Sequence, residues 1–173
     1  MKRTLGLLML LAATAAQAQE KNPVTSVVKE ILPRQQKNLV AAVEEMPADK
    51  FSYKPTEQQM TFGHLVLHII GSNNHLCSAI GDLPEGKAPV PLKESDGKDK
   101  LIAALKASFD FCATALSKVD DSKLGDEVEL FGHKGPRAFA LIVLTNDWAD
   151  HYSSAAMYLR LNGMLPPTAQ PKK

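Results

Sequence analysis

Four segments of this chain repeat their apolar residues with the 3.6-residue period of an α-helix, and this pattern constrains the fold most. The segments cover about residues 23–46, 98–119 and 136–161, together with a second segment that starts at Thr56 or Thr61 and ends at about residue 80. No segment alternates apolar and polar residues strongly enough to build a sheet. The sequence therefore predicts an all-α protein built as a four-helix bundle.

Glycine and proline residues mark the places where these helices should bend or end. Pro33 lies inside the first helical segment and should kink the helix or split it in two. Gly71 lies inside the second, where a close neighbour or a bend would explain a residue that costs about 1 kcal/mol relative to alanine. Gly163 is the expected C-cap of the fourth. Between the third and fourth segments, residues 128–131 are expected to be extended and to end at Gly132.

The two ends of the chain differ in character from the helical region. A basic start, an apolar run over residues 5–16 and the small-x-small sequence at residues 16–18 predict a signal peptide cleaved after Ala18 and a periplasmic or secreted protein. The apolar run is shorter than the roughly 20 residues of a membrane span, so no span is expected. Residues 19–165 should form one domain, and the Pro-rich residues 166–173 a disordered tail.

Charge and composition narrow the classes of partner. The chain has 20 basic and 19 acidic residues and a formal net charge of +1, without a stripe of lysine and arginine interleaved with aromatic residues. We therefore expect no nucleic-acid partner. An unknown small-molecule substrate or ligand is the expected partner. A homodimer is compatible with the sequence, although no residue specifies one.

The two cysteines bear on how the helices are connected. The loop over residues 81–97, fully extended, would reach about 55 Å, which exceeds the roughly 30 Å length of a 20-residue helix. The second and third helices can therefore be parallel, which places Cys77 and Cys112 at nearly the same height. In an antiparallel hairpin they would be about 15 Å apart, too far for a disulfide. Because exported proteins often pair their cysteines, we predict a Cys77–Cys112 disulfide, with two free buried cysteines as the alternative.

Metal-ligating residue types recur at helical spacing in two of the segments. Asp147 and His151 are four residues apart in the fourth helix, as are His64 and His68 in the second, and residues at this spacing share one face. Two histidines and a carboxylate, with water, suit zinc, nickel, manganese or iron. The same spacing also arises by chance, and Asp147 could instead face solvent and pair with Arg160 or a lysine.

Two further histidines are weaker candidates. His75 falls near the face of His68 but about 10 Å further along the helix. His133 lies between Gly132 and Gly135 and is expected to be exposed.

Short motifs spread over the whole mature chain resemble those of one family. They are Tyr53-Lys54-Pro55, the run TFGHLVLHI at residues 61–69, Leu130-Phe131-Gly132, Asp147-x-x-x-His151-Tyr152, the run YLRLNG at residues 158–163, and Pro166-Pro167. The layout resembles the DinB-like superfamily of four-helix bundles, also called the damage-inducible-B or YfiT-like fold. The resemblance implies an up-down-down-up topology with a long crossover between the second and third helices, in agreement with the cysteines.

The resemblance also implies a set of ligands. Members of this family typically hold a divalent metal through one histidine of the second helix and a His-x-x-x-His pair of the fourth. His68 and His151 occupy the first and last of these positions, while Asp147 stands where the family has its middle histidine. His64, one turn from His68, is a candidate additional ligand. The aspartate should favour harder ions such as manganese or iron over zinc.

The chemistry implied by the resemblance is metal activation of a thiol or of water for attack on an electrophile. Several relatives are transferases or isomerases that use low-molecular-weight thiols, which are cytosolic, so the signal peptide favours a hydrolase. Asp150 is a weak candidate for a general base, and its alternative role is a solvated helix charge. One alternative function is a non-catalytic binding or stress-associated module with a degenerate metal site. Another is an interaction surface that includes Trp148 and Tyr152.

Overall fold

Four long α-helices make up most of the protein. The computed structural model describes residues 21–85 and 91–171. The helices are α1 (Pro23–Glu45), α2 (Phe62–Gly81), α3 (Lys98–Ser117) and α4 (Arg137–Leu161), and a hairpin of β1 (Glu127–Leu130) and β2 (His133–Pro136) connects α3 to α4. Side chains from all four helices and from β1 form one buried apolar cluster. The predicted all-α four-helix bundle is confirmed, apart from the small hairpin.

Helices α2 and α3 run parallel to each other. Asn73 donates a hydrogen bond to Ser108, and Gly81, two turns further along α2, packs against Ala115, two turns further along α3. A Cβ atom added to Gly81 would lie 2.8 Å from both the Cα and the Cβ of Ala115, so only glycine permits this approach. The long loop between the helices therefore returns the chain to the end of the bundle at which α2 began.

Helix α2 is antiparallel to α4, and α1 is antiparallel to α3, since residue numbers rise along one helix of each pair and fall along the other. The contacting pairs are His68–His151 and Ile80–Arg137 between α2 and α4, and Lys29–Val119 and Glu44–Lys106 between α1 and α3. Together with the parallel pair, these directions give the predicted up-down-down-up topology.

A disulfide joins the two parallel helices. Cys77 and Cys112 are bonded, with Cα atoms 5.1 Å apart, and both side chains are fully buried. The predicted disulfide is confirmed, and the alternative of two free cysteines is wrong.

Asn73 connects three helices through its buried side-chain amide. Its Nδ2 donates to Ser108 Oγ of α3 over 2.9 Å, and its Oδ1 accepts from Trp148 Nε1 of α4 over 2.7 Å. Asn73 and Trp148 are both completely buried. Because buried polar groups are stable only when they are paired, this network fixes how α4 is rotated against α2.

Proline and glycine affect α1 and α4 in different ways. Helix α1 continues through Pro33, so of the two effects predicted for this proline, a kink or a split, the split does not occur. Pro33 is exposed, and solvent can there satisfy the Lys29 carbonyl that the proline cannot serve. Gly163 follows α4 with φ of 77°, and the Met164 N–H donates to the Leu159 carbonyl, which is the glycine-terminated helix end that was predicted.

The hairpin between α3 and α4 departs from the sequence prediction. Its two turn residues, Phe131 and Gly132, have φ of 53° and 76°, as a tight two-residue turn between antiparallel strands requires. Residues 128–131 were expected to be extended, but a second strand was not, because Lys134, Gly135 and Pro136 have low strand propensity. The left-handed backbone conformation of the bulky Phe131 costs about 1–2 kcal/mol.

The C-terminal segment folds back onto the bundle. Pro166 is buried, Tyr152 Oη donates to Thr168 Oγ1 and accepts from the Thr168 N–H, and Gln170 Nε2 donates to Glu45 Oε1 over 2.9 Å. Residues 166–171 therefore differ from the disordered tail predicted for residues 166–173. A proline-rich segment has little conformational entropy to lose on ordering, and the glycine turn after α4 directs it back toward α1.

The predicted signal peptide, residues 1–18, lies outside the described residues. It therefore stays a prediction, together with the periplasmic or secreted location. None of the helices in residues 21–85 and 91–171 combines the length and apolarity that crossing a membrane requires.

Replacing Gly71 with alanine should raise the free energy of unfolding by about 1 kcal/mol, because alanine is the better helix former. Among the described residues, a Cβ atom at this position would meet nothing within 4 Å, so of the two explanations considered, a close neighbour or a bend, the close neighbour does not apply. Urea denaturation measures the change. Gly81→Ala is the matched control and should destabilise the protein, since its Cβ would clash with Ala115. Equal effects of the two substitutions would contradict this prediction.

Candidate metal centre

His68, Asp147 and His151 lie together at the interface between α2 and α4. The ring centroids of His68 and His151 are 4.9 Å apart, with the ring planes at 82°, and His151 Nδ1 is 3.1 Å from Asp147 Oδ2. His151 is only 5% exposed, and the Asp147 side chain is largely buried at 21%. The three residues that sequence and resemblance singled out are therefore neighbours, while their role as ligands stays a prediction.

Two atoms of this cluster are buried and have no hydrogen-bond partner in the part of the chain that the structure describes. They are Asp147 Oδ2 and His151 Nδ1. Their separation would suit a hydrogen bond, but the direction does not, so neither atom satisfies the other. An unpartnered buried polar group costs about 1–3 kcal/mol. A cation bound by both atoms would remove this cost, and a carboxylate and an imidazole are suitable donors for a divalent transition metal.

The 3.1 Å separation of these two atoms is also compatible with a shared ion. Two atoms that ligate one ion at about 2.1 Å and at right angles are about 3.0 Å apart. The Asp147 carboxylate faces His151 and not Arg160, which was the alternative partner considered from the sequence.

His68, the third residue of the cluster, is not oriented as a metal ligand. Among residues 21–85 and 91–171, no group of three or more His, Cys, Asp or Glu side chains is arranged to hold an ion. The His68 ring stands nearly perpendicular to that of His151, and its side chain is exposed. His68 would therefore have to rotate before its ring nitrogen could join the other two donors.

The environment of His68 favours its neutral form. The side chain reaches solvent, but contact with α4 removes part of its hydration, and this burial lowers the pKa of His68. Repulsion from His151 lowers the pKa further, while Asp147 opposes the change. The neutral imidazole is the form that binds metals.

The remaining polar candidates lie outside this cluster. His64 is exposed, and its Nδ1 is 3.4 Å from Glu94 Oε1, in the turn that precedes α3. Asp150 and His133 are also exposed, as expected, although His133 begins strand β2 and does not lie in a loop. Trp148 belongs to the core, which removes it from the interaction surface considered above.

Two features of the site region were not identified from the sequence. Asn73 connects three helices, but nothing in a pattern of residues distinguishes a buried asparagine from an exposed one. His75 has a buried Nε2 without a hydrogen-bond partner, and the Phe131 ring lies against its ring at 5.1 Å. The seven-residue spacing from His68 indicated a shared face, whereas the contact with the hairpin depends on a turn that was not predicted.

The fold and the His-Asp-His cluster define a four-helix bundle with a candidate metal centre between α2 and α4. A family model described as the DinB superfamily matches residues 31–152, so the chain belongs to the DinB superfamily. No curated protein matches the chain.

Two solved structures are similar over nearly their whole length. A DinB-like protein from Bacillus cereus ATCC 10987 is 17% identical, with a TM-score of 0.70, and the match covers 82% of this chain and 95% of that one. A DinB-like protein from Bacillus subtilis is 20% identical, with a TM-score of 0.67, and the match covers 84% and 99%. At these identities the similarity shows the fold alone.

Proposed function

We propose that this protein is a metal-dependent enzyme in which His68, Asp147 and His151 hold one divalent transition metal, such as zinc, nickel, manganese or iron. The observation that carries the proposal is the buried pair of Asp147 Oδ2 and His151 Nδ1, 3.1 Å apart and without hydrogen bonds. An ion held there supplies Lewis acidity, which activates water or a thiol as a nucleophile. The proposed reaction is hydrolysis or group transfer on a small-molecule substrate.

The residues around the cluster support this role by holding two of the donors in place. Asp147 and His151 flank Trp148 in sequence, and Trp148 is buried and bonded to Asn73 of α2. This contact fixes the rotation of α4, so Asp147 and His151 both face α2. His68 is the exposed member of the three, so its ring has room to rotate toward the other two donors.

We propose that the protein is exported and that its reaction is hydrolysis. Export is supported by the pattern of residues 1–18 and by the buried Cys77–Cys112 disulfide, since disulfides persist in oxidising compartments. The low-molecular-weight thiols used by several relatives are cytosolic, which disfavours thiol transfer. The location is tested by fractionating cells and sequencing the mature N-terminus, which should begin at Gln19.

Metal-free protein, purified without a histidine tag, should bind one equivalent of a divalent transition metal in a calorimetric titration. His151→Ala and Asp147→Asn should each weaken the affinity at least about a hundredfold, since changes to residues that merely support ligands cost 10–100-fold. His133→Ala is the matched control, because His133 is an exposed histidine on β2, and it should leave the affinity unchanged.

Binding should also stabilise the fold. At a free metal concentration 100 times the dissociation constant, the free energy of unfolding should rise by about 2.7 kcal/mol. If no divalent ion binds, and if thermal stability does not respond to added metal, the alternative of a non-catalytic module with a degenerate site is favoured.

A further inference from the structure

A bare turn of α2 lies beside the candidate metal centre. Gly71 lies between His68 and His75 in sequence, and an added Cβ atom there would meet nothing within 4 Å. Side chains on a helix lean toward its N-terminus, so the His75 side chain extends toward the turn of Gly71 without coming within 4 Å of a Cβ atom there. The space above Gly71 is therefore open, with one histidine on either side along the helix.

His75 has an unused hydrogen-bonding atom at this place. Its Nε2 is buried and has no hydrogen-bond partner among residues 21–85 and 91–171, although buried polar atoms are nearly always paired. The Phe131 ring lies against the His75 ring, with centroids 5.1 Å apart and planes tilted by 35°. An aromatic ring cannot replace the hydrogen bond that Nε2 would make to water.

The side chain of Phe131 covers His75, although the backbone of Phe131 is in an unfavourable conformation. Its φ is 53°, in a turn position that favours Asn, Asp or Gly. The side chain is also 64% exposed, so its burial does not account for the strained backbone. Strained residues recur at ligand-binding positions. Here an unpartnered nitrogen and a strained aromatic residue contact each other beside open space.

We propose that Gly71 and His75 form a binding subsite for a small aromatic ring that carries a hydroxyl group, and that Phe131 is its displaceable cover. The ligand ring takes the place of Phe131 against His75, over the bare turn at Gly71, and the hydroxyl pairs with Nε2. A hydroxyl can donate to Nε2 or accept from it, so it suits either tautomer of the neutral imidazole. That this ring belongs to the substrate rests on the proposed function, whereas its binding does not require metal.

Phenol is the probe, titrated into metal-free full-length protein and followed by NMR of the aromatic side chains. We expect saturable shifts at His75 and Phe131. Toluene has the same ring without the hydroxyl and should bind at least about fivefold more weakly, because it leaves Nε2 unpaired. Equal binding of toluene, or phenol shifts that spare His75 and Phe131, would overturn the proposal.

Substitutions at Gly71 test whether phenol binds at this position, and they do not destabilise α2 because alanine and leucine favour helices. Gly71→Leu fills the open space and should weaken phenol binding at least about tenfold by steric exclusion, and Gly71→Ala should weaken it by a smaller factor. The matched control is Gly125→Leu, since a Cβ at Gly125 also meets nothing within 4 Å, and it should leave binding unchanged. If Gly71→Leu binds phenol with the same affinity as the wild-type protein, the subsite is refuted. Should the leucine variant not fold, an unchanged affinity in Gly71→Ala refutes it.

Replacing Phe131, the cover of His75, should strengthen phenol binding, whereas the Gly71 substitutions weaken it. Phe131→Gly relieves the left-handed strain and leaves no ring to displace, so phenol should bind at least about threefold more tightly. Phe139→Ala removes another exposed phenylalanine and should change nothing. Weaker binding in Phe131→Gly would contradict the role of Phe131 as a displaceable cover. Because all of these titrations use metal-free protein, their failure leaves the proposed metal centre untouched.

Discussion

Reduction of the Cys77–Cys112 disulfide should lower the free energy of unfolding by about 4 kcal/mol, because the cross-link closes a loop with a sequence separation of 35 and restricts the unfolded chain. For a domain of this size, the melting temperature should fall by about 10 °C. The measurement is urea denaturation of oxidised protein and of protein that was reduced while unfolded, since both sulfurs are buried in the native state.

The reduced wild-type protein keeps both sulfur atoms, so the comparison isolates the cross-link from the packing of the side chains. The double variant Cys77→Ala/Cys112→Ala supplies the control, because reductant should not shift its denaturation midpoint. An identical midpoint for oxidised and reduced wild-type protein would show that the bond contributes nothing to stability.

Asn73→Ala should lower the free energy of unfolding by about 3 kcal/mol. The substitution removes the acceptor of the Trp148 Nε1–H and leaves this donor buried without a partner, a cost of about 1–3 kcal/mol. It also removes the hydrogen bond to Ser108 and opens a small cavity in the core. Chemical denaturation monitored by the fluorescence of Trp148, the one tryptophan of the chain, measures the loss.

The neighbouring Asn74 provides the matched control. It is only partly buried, so Asn74→Ala should change stability by less than about 0.5 kcal/mol. The double variant Asn73→Ala/Trp148→Phe removes donor and acceptor together and should recover about 1 kcal/mol relative to additivity, read by circular dichroism. Additive losses would mean that the Asn73–Trp148 hydrogen bond does not stabilise the bundle.

The helices and their topology could be predicted because local pattern and chain length determine them. The periodicity of apolar residues sets the four helices to within a few residues at each end. The 17-residue loop over residues 81–97 allowed parallel helices, and Cys77 and Cys112 favoured them. In each case the decisive quantity, the period of the apolar residues or the extended length of the loop, can be calculated from the sequence alone.

The hairpin and the C-terminal segment could not be predicted in the same way. Strand β2 contains His133, Lys134, Gly135 and Pro136, which have no strand pattern, so its pairing with β1 depends on the turn at Phe131 and Gly132. Of these two turn residues, only Gly132 is typical of a hairpin turn. Chain folding back after α4 depends on contacts such as Tyr152 with Thr168, which form only once α4 is in place.

The candidate site was partly predictable. Spacing placed Asp147 and His151 on one face and His64 and His68 on another. The family resemblance selected His68 from the second pair, and the structure places it beside His151. The contact of His64 with Glu94 was not predicted, because it depends on where the turn before α3 lies. The unpartnered Nε2 of His75 depends likewise on the position of the hairpin.

Anomalous diffraction from crystals soaked in manganese tests the metal centre most directly. We expect one peak between α2 and α4, about 2.2 Å from both Asp147 Oδ2 and His151 Nδ1, with the His68 ring turned to bring a nitrogen to the same ion. The absence of a peak at these two atoms at saturating manganese, or a peak only at surface carboxylates, would contradict the assignment of His68, Asp147 and His151 as the metal ligands.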